Sequence, residues 1–311
     1  MARALRFGIC TDQNMTWPDT VERWRHIEAL GYDSVWDCDH LIQPSRPQGP
    51  YFEAWTLLAG LAAVTERTRI GVLVTCNTFR NPAVLAKQAI TVDHISGGRL
   101  EMGLGAGWYE PEHRMFGIPL PETRELVDRF AESVEVLDRL FREDVSSFEG
   151  RYYALREARS RPAAVQRPRI PLTLGAFGPR MLRIVARRAD TWNAFGTAQE
   201  MLERNQLLDR ECERLGRDPD TLQRSLYYWK ISHDAIDPWE SEDAFEAMVR
   251  LYVATGVNQF VVDQPDDARV EMLERVARNV LPRLRGETVS TPREPAAVPG
   301  TVWHNPKDYV V

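Results

Sequence analysis

Long apolar runs and paired cysteines are both missing from this chain of 311 residues. No apolar run approaches the roughly 20 residues of a membrane-spanning helix, so we expect no membrane segment. The first apolar run begins at Leu5, so we expect no signal peptide. The four cysteines are scattered without a CxxC pair: Cys10, Cys38, Cys76 and Cys212. We interpret them as reduced thiols and predict a cytoplasmic protein.

Motifs for several chemistries are also absent. The histidine and cysteine spacings match no metal-binding motif, so we predict no metal site. There is no GxSxG pattern of the kind found in many serine hydrolases. The glycines of Gly103–Gly107 do not complete the dinucleotide fingerprint GxGxxG. Because the net charge is −6, we expect no nucleic-acid partner.

Short apolar runs alternate with helical patterns eight times along the chain. The predicted strands lie near Leu5–Cys10, Ser34–Asp37, Arg69–Thr75, Leu100–Leu104, Pro171–Leu174, Thr191–Ala194, Ser225–Ile231 and Gln259–Val262. Eight strand–helix units predict an α/β fold with a closed parallel sheet, the (β/α)8 TIM barrel. An open doubly wound sheet is the alternative, and it usually has fewer strands. We predict a single barrel domain over residues 1–286.

Two segments interrupt the alternation. Residues 144–170 have no clear period and follow the fourth helix, so we predict an insertion that serves as a lid or a wall of the active site. Residues 287–311 contain four prolines and end in apolar residues. We predict that this C-terminal extension lies outside the barrel and packs on it or on a partner subunit.

Two loops are candidates for chemistry, because barrel enzymes place their sites at the carboxyl ends of strands. Asp39 and His40 follow the second strand, where a carboxylate could fix the tautomer of the imidazole and raise its pKa. The alternative is a polar pair that only stabilises the loop. Gly175–Gly178 precedes Pro179 at a helix start, which is typical of a phosphate or ring-edge clamp but also of an ordinary turn.

The ordered motifs resemble the luciferase-like monooxygenase superfamily of flavin- and deazaflavin-binding barrels. The matching segments are 31–40, 69–82, 97–112, 148–152 and 189–193, including Asp39-His40, Gly97-Gly98-Arg99-Leu100 and Gly105-Ala106-Gly107-Trp108. Within the superfamily the chain most resembles the oxidoreductases that use the deazaflavin coenzyme F420, mainly because of the carboxylate–histidine pair.

The resemblance implies specific roles for several residues. His40, with Asp39 beside it, would lie near the reactive ring and carry the catalytic proton. A non-proline cis peptide near Leu73 and Val74 would form a backstop behind the ring. Further cofactor contacts would come from Gly107, Gly175, Ala176, Phe177 and Gly178. Phe177 departs from the glycine run that relatives usually carry at this turn.

The implied function is hydride transfer between F420 and a small organic substrate, with His40 assisting proton transfer. One alternative is an FMN-dependent monooxygenase that uses reduced flavin and oxygen. A second is a barrel that binds flavin without catalysis. The resemblance also implies a homodimer, whereas the substrate and the direction of hydride transfer stay open.

Overall fold

The computed structural model describes residues 3–229 and 236–289. Eight parallel strands form one sheet whose order follows the chain, and the pairing of the third strand with the fourth closes it. The strands are Arg6–Cys10, Ser34–Asp37, Arg69–Val72, Leu100–Gly105, Leu172–Gly175, Thr191–Ala194, Gln223–Tyr228 and Gln259–Asp263. The predicted (β/α)8 barrel is therefore confirmed.

Helices follow the strands in alternation. They are Trp17–Ala29, Ala54–Val64, Pro82–Ile95, Glu110–Met115, Thr123–Arg142, Pro179–Arg188, Ala198–Arg214, Glu242–Val253, Val270–Arg275 and Leu281–Leu284, with a π-helical turn at Val276–Val280 and 3-10 turns at Pro219–Thr221 and Asp267–Arg269. Thr123–Arg142 shows why the sequence forms them: Phe130, Val134, Leu137 and Phe141 recur on one buried face.

The chain divides into two compact units. The first holds residues up to 12, residues 26–35 and the described residues from 176 onward. Its core includes Phe7, which stacks on Phe260 at a centroid distance of 5.8 Å and lies 6.3 Å from the ring of Phe245. Phe245 belongs to helix Glu242–Val253, so Phe7 and Phe260 face outward from the sheet.

The second unit holds residues 13–25 and 36–175. Here the indole of Trp36 packs against Gly71, where a Cβ atom would lie 2.5 Å from the ring. A short strand, Thr75–Cys76, continues the third strand and pairs with Leu100–Gly105. The predicted third strand, Arg69–Thr75, is therefore interrupted after Val72.

The predicted insertion contains an antiparallel hairpin, Val145–Glu149 with Ala154–Arg159, directly after helix Thr123–Arg142. The backbone amides of Arg151, Tyr152 and Tyr153 at its turn donate to the carboxylate of Glu132 on that helix. Further on, the amides of Val165 and Gln166 donate to Asp93 of helix Pro82–Ile95. These contacts attach the segment to outer helices, and its role as a lid or a wall of the active site stays a prediction.

The described chain ends on a short antiparallel pair, Arg3–Ala4 with Thr288–Val289. From residue 290 onward the predicted C-terminal extension is not among the described residues. The predicted end of the seventh strand at Ile231 also lies outside them.

Candidate functional site

His40 is held by a carboxylate from a distant part of the second unit. Its Nδ1 lies 2.9 Å from Oε1 of Glu112, whose side chain is only 1% exposed. The other oxygen of Glu112 accepts the backbone amide of Leu41 at 2.9 Å. A carboxylate only accepts hydrogen bonds, so Nδ1 must carry a proton. This fixes the tautomer and leaves Nε2 of a neutral imidazole as a hydrogen-bond acceptor.

Two aromatic rings border the imidazole of His40. Trp108 and Tyr109 both meet it edge-on, each at a centroid distance of 6.0 Å. Trp108 is 47% exposed, whereas the side chain of His40 is 19% exposed. The histidine is therefore partly shielded yet still reachable from solvent, as a proton-transferring group must be.

Asp39 has a different partner from the one predicted. Its carboxylate pairs with Arg80 and accepts the backbone amide of Cys76 at 2.8 Å. Arg80 also binds Glu53 at 2.9 Å. Burial lowers the pKa of the Arg80 guanidinium, but the carboxylates of Asp39 and Glu53 outweigh burial and raise this pKa above its ordinary value. The expectation that Asp39 orients His40 is therefore wrong, because Glu112 does so.

Burial controls the protonation of two neighbouring groups. It raises the pKa of Asp37 well above its ordinary value, and the nearby Cys38 and Asp39 add to the effect. Neither carboxyl oxygen of Asp37 has a hydrogen-bond partner within the described part of the chain. Burial also raises the pKa of Cys76 to about 12, so this thiol stays protonated and is a poor nucleophile.

The peptide between Leu73 and Val74 is cis, as the resemblance predicts. The side chain of Val74 lies against glycines of the two following barrel strands. A Cβ atom added at Gly105 would lie 2.6 Å from Cγ2 of Val74, and one added at Gly175 would lie 3.1 Å from it. These glycines therefore make the room that Val74 occupies.

Gly107 lies in a loop fixed by His113. Gly107 has a φ of 95°, and a Cβ there would lie 3.0 Å from Oγ1 of Thr78. Buried His113 bonds Thr78 Oγ1 at 2.6 Å and the carbonyl of Tyr109 at 2.7 Å. Because the carbonyl only accepts, Nδ1 of His113 carries the proton. His113 is thus a structural residue that anchors the loop bearing Trp108.

The remaining predicted residues belong to the first unit. The amide of Ala176 donates to the carbonyl of Asn193 at 3.1 Å. The ring of Phe177 lies 4.6 Å from that of Phe195. Gly178 precedes helix Pro179–Arg188, and a Cβ there would meet no atom within 4 Å. The turn therefore leaves open space beside backbone amides at a helix start, which suits an anionic group.

The described residues contain neither a cluster suited to a metal ion nor a helix suited to a membrane span. Within residues 3–229 and 236–289, no group of three or more histidine, cysteine, aspartate or glutamate side chains could hold a metal ion. Over the same ranges, no helix has the length and hydropathy needed to cross a membrane.

Comparison with known proteins decides the family. The model of the luciferase-like monooxygenase family matches residues 6–279. The chain belongs to this family. This luciferase-like protein is 30% identical over 324 residues to an F420-dependent glucose-6-phosphate dehydrogenase from Intrasporangium calvum, covering 86% of this chain and 95% of the relative.

Solved structures of low sequence identity share the fold of this luciferase-like protein. The F420-dependent tetrahydromethanopterin reductase from Methanopyrus kandleri aligns with a TM-score of 0.77 at 18% identity, covering 90% of this chain and 99% of the other. An F420-dependent secondary alcohol dehydrogenase bound to an F420–acetone adduct aligns with a TM-score of 0.76 at 18% identity, covering 88% and 98%.

Sequence reasoning missed the role of Glu112, although the residue lies within the motif that carries the resemblance. The available signal was an acidic residue in the first turn of a short helix, directly after a glycine-rich strand end. Such residues are common at helix starts for electrostatic reasons, so the pattern alone did not single out Glu112.

Proposed function

We propose that this chain is an F420-dependent oxidoreductase that acts on a small organic substrate, with His40 assisting proton transfer. The observation that carries the proposal is the His40–Glu112 pair, at 2.9 Å, after the second barrel strand. F420 relatives supply the second support, since the chain spans 95% of the relative from Intrasporangium calvum.

His40 has the geometry that a proton carrier needs. With Nδ1–H donated to Glu112, Nε2 can take a proton from a substrate hydroxyl or, when protonated, return it. Glu112 stabilises the positive charge that develops on the ring and keeps its orientation. When bound, F420 would donate or accept the hydride; the chain supplies position and the proton.

The packing around Val74 supports a proposed role in holding a flat ring. Leu73 is buried and Val74 half-buried, and Gly105 and Gly175 leave space for the valine side chain. We propose that Leu73 and Val74 support one face of the F420 ring. We also assign contacts with the rest of the cofactor to Gly107, Gly175, Ala176, Phe177 and Gly178. The open turn at Gly178 would suit an anionic group.

Asp39 takes a positioning role in this proposal. Its carboxylate is occupied by Arg80 and by the amide of Cys76, so it holds the segment that carries His40 rather than transferring a proton. The relatives' name makes glucose 6-phosphate the first substrate to test.

Titration of the purified protein with F420 and with FMN tests the cofactor. We expect saturable F420 binding and weak or no FMN binding. Tight FMN binding with substrate-dependent oxygen uptake would instead support a monooxygenase, in keeping with the family description. Cofactor binding without turnover over a broad substrate panel would favour a non-catalytic barrel.

A His40→Ala variant tests the proton role. We expect turnover to fall about 100-fold or more while F420 still binds, because general acid–base groups typically contribute 10²–10⁴-fold. His94→Ala is a matched control, since His94 lies on an outer helix and bonds the carbonyl of Ala163. Normal turnover of His40→Ala across pH would contradict the assignment.

A further inference from the structure

A tyrosine and an aspartate meet at the carboxyl ends of the seventh and eighth barrel strands. The hydroxyl of Tyr227 donates to Oδ1 of Asp263 at 2.6 Å. The indole of Trp239 donates to the carbonyl of Asp263 at 2.7 Å, which fixes the end of that strand. Nothing in the proposed function assigns a role to this pair.

Tyr227 faces the inside of the barrel. Its neighbour Tyr228 packs edge-on against Tyr252 of an outer helix, at a centroid distance of 5.8 Å. Successive strand residues point to opposite faces, so Tyr227 points inward. In the sheet register Tyr227 lies opposite Val261, which places Asp263 two residues further along the same inner face. Barrel enzymes bind their substrates at this end.

Aromatic rings extend the surface beside the pair. The ring of Trp229 lies 6.2 Å from that of Tyr227 and 5.4 Å from that of Phe195. All three aromatic residues and Asp263 are only half-buried. The cluster therefore offers an apolar wall next to one polar, hydrogen-bonded pair, the combination typical of a small-molecule site.

The charged groups that the structure describes around Tyr227 and Asp263 disfavour the binding of an anion. Burial raises the pKa of Asp263 to about 7, and the negative charge of Asp12 adds to the effect. A cation near the wall, Arg204, is already engaged: it donates to the carbonyl of Phe195 at 2.8 Å and to Glu200 at 3.3 Å. Within residues 3–229 and 236–289, a phosphate placed here would meet the carboxyl groups of Asp263 and Asp12, while Arg204 is already engaged.

We propose that Tyr227 and Asp263 form the specificity-determining polar subsite for an uncharged substrate, an alcohol or the corresponding carbonyl compound, whose apolar body lies on Trp229 and Phe195. The proposal rests on the proposed function. The tyrosine hydroxyl can donate to a carbonyl or accept from a hydroxyl, and the carboxyl group can do either according to its protonation. The pair therefore serves both members of the redox couple.

The test uses the full chain loaded with F420. Cyclohexanol and 1-phenylethanol are assayed with oxidised F420, the matching ketones with reduced F420, and glucose 6-phosphate serves as the charged comparison. Binding of each probe to the holoenzyme is also measured by tryptophan fluorescence, so that a slow reaction is not mistaken for lack of binding. F420 affinity is measured separately for every variant.

We expect the uncharged probes to bind and react in preference to glucose 6-phosphate. Tyr227→Phe should raise KM or the probe dissociation constant about tenfold, with kcat within about threefold. Tyr228→Phe is the matched control, because it removes a hydroxyl on the opposite face that bonds the carbonyl of Ile236. The double variant Tyr227→Phe/Asp263→Asn should be little worse than Tyr227→Phe alone, because the pair acts as a unit.

Three results would overturn the proposal. The first is that the enzyme prefers glucose 6-phosphate to the uncharged probes. The second is that the F420-loaded enzyme binds none of the uncharged probes. The third is that Tyr227→Phe and Tyr228→Phe have equal KM values. Failure to bind F420 at all would instead refute the proposed function, so the two failures are distinguishable.

Discussion

At the scale of single residues, the carboxylate of Glu112 forms two hydrogen bonds near the proposed proton carrier. Its carboxylate accepts from Nδ1 of His40 and from the amide of Leu41, both at 2.9 Å. A glutamine has one carbonyl oxygen and a donor in place of the second acceptor. If the oxygen of Glu112→Gln accepts from Leu41, its NH2 group faces His40 and favours the tautomer in which Nδ1 accepts and Nε2 carries the proton. We predict that turnover falls about tenfold in Glu112→Gln and about 100-fold in Glu112→Ala.

Steady-state rates with F420 affinity measured in parallel check this prediction. Glu110→Gln is the control, since Glu110 lies in the same helical turn but forms only an exposed pair with Arg114. Equal rates for Glu112→Gln and Glu110→Gln would show that the carboxylate is dispensable.

The partner of His40 illustrates what the sequence could not reveal. Asp39 is adjacent to His40 in the chain, but its carboxylate is bound by Arg80 and by the amide of Cys76. Glu112, 72 residues from His40, reaches the imidazole instead. Local patterns predict that a histidine lies at a strand end, whereas its hydrogen-bond partner depends on tertiary packing.

Asp263 makes stability depend on pH. Its pKa is about 7 in the folded chain against 3.8 for the ordinary side chain. Between roughly pH 4 and 7, the folded state therefore holds a proton that the unfolded state has lost. The contribution of Asp263 to stability falls as pH rises through this range and is lost above about pH 7. We predict that Asp263→Asn, which cannot ionise, is more stable than the parent by roughly 2 to 4 kcal/mol at pH 8 and about equal at pH 4.

Urea unfolding at the two pH values measures this difference. The asparagine oxygen can still accept from the hydroxyl of Tyr227, so the substitution changes charge more than contacts. Parallel pH curves for the two proteins would contradict the prediction.

At the scale of elements, the glycines of the fourth and fifth strands decide where Val74 sits. A methyl group at Gly105 would lie 2.6 Å from Cγ2 of Val74 and force the valine to move. We predict that Gly105→Ala costs about 1–3 kcal/mol of stability and weakens F420 binding. Thermal unfolding and F420 titration measure the two effects.

Gly286→Ala is the control for that experiment. A Cβ at Gly286 would have the carbonyl of Arg283 as its nearest neighbour, at 3.8 Å, which is ordinary contact. If Gly105→Ala and Gly286→Ala bind F420 equally well, the proposal that Val74 supports the ring is wrong.

The strands were predictable because those of a parallel barrel are buried on both faces and appear as short apolar runs. Ser34–Asp37 and Thr191–Ala194 have the predicted bounds. The third strand differs because its backbone leaves the ladder after Val72 and rejoins it at Thr75. An apolar sequence continues through this break, so hydropathy could not reveal it. The hairpin within 144–170 was missed for the opposite reason, since its strands are largely exposed and polar.

At the scale of the whole molecule, the amino-terminal strand is tied to later elements of the first unit by Arg3. Its guanidinium is buried and donates to the carbonyls of Leu222 at 3.1 Å and Gly256 at 3.0 Å. Arg3→Met would leave these carbonyls without a donor while keeping much of the side-chain volume. We predict a loss of about 3 kcal/mol in the free energy of unfolding.

Chemical denaturation measures that loss. Arg114→Met should change stability by less than about 0.5 kcal/mol, because Arg114 is 71% exposed and its ion pair is screened by water. A small effect of Arg3→Met would mean that the contacts of the amino terminus contribute little to folding.

The oligomeric state of the protein and the packing of its C-terminal extension remain predictions at this scale. We propose a homodimer, and light scattering after gel filtration would test it. Unchanged oligomeric state and unchanged stability after deletion of residues 288–311 would contradict the predicted packing of the tail.

Tyr227 and Tyr228 are adjacent in the chain but face opposite sides of the sheet, and this difference matters for evolution and engineering of the substrate site. Tyr228 packs among outer helices, whereas Tyr227 lines the inner surface. Selection for new substrates can therefore vary position 227 while position 228 preserves folding. A library restricted to residues 195, 227, 229 and 263 would explore substrate preference with few unfolded members, and one that included 228 would not.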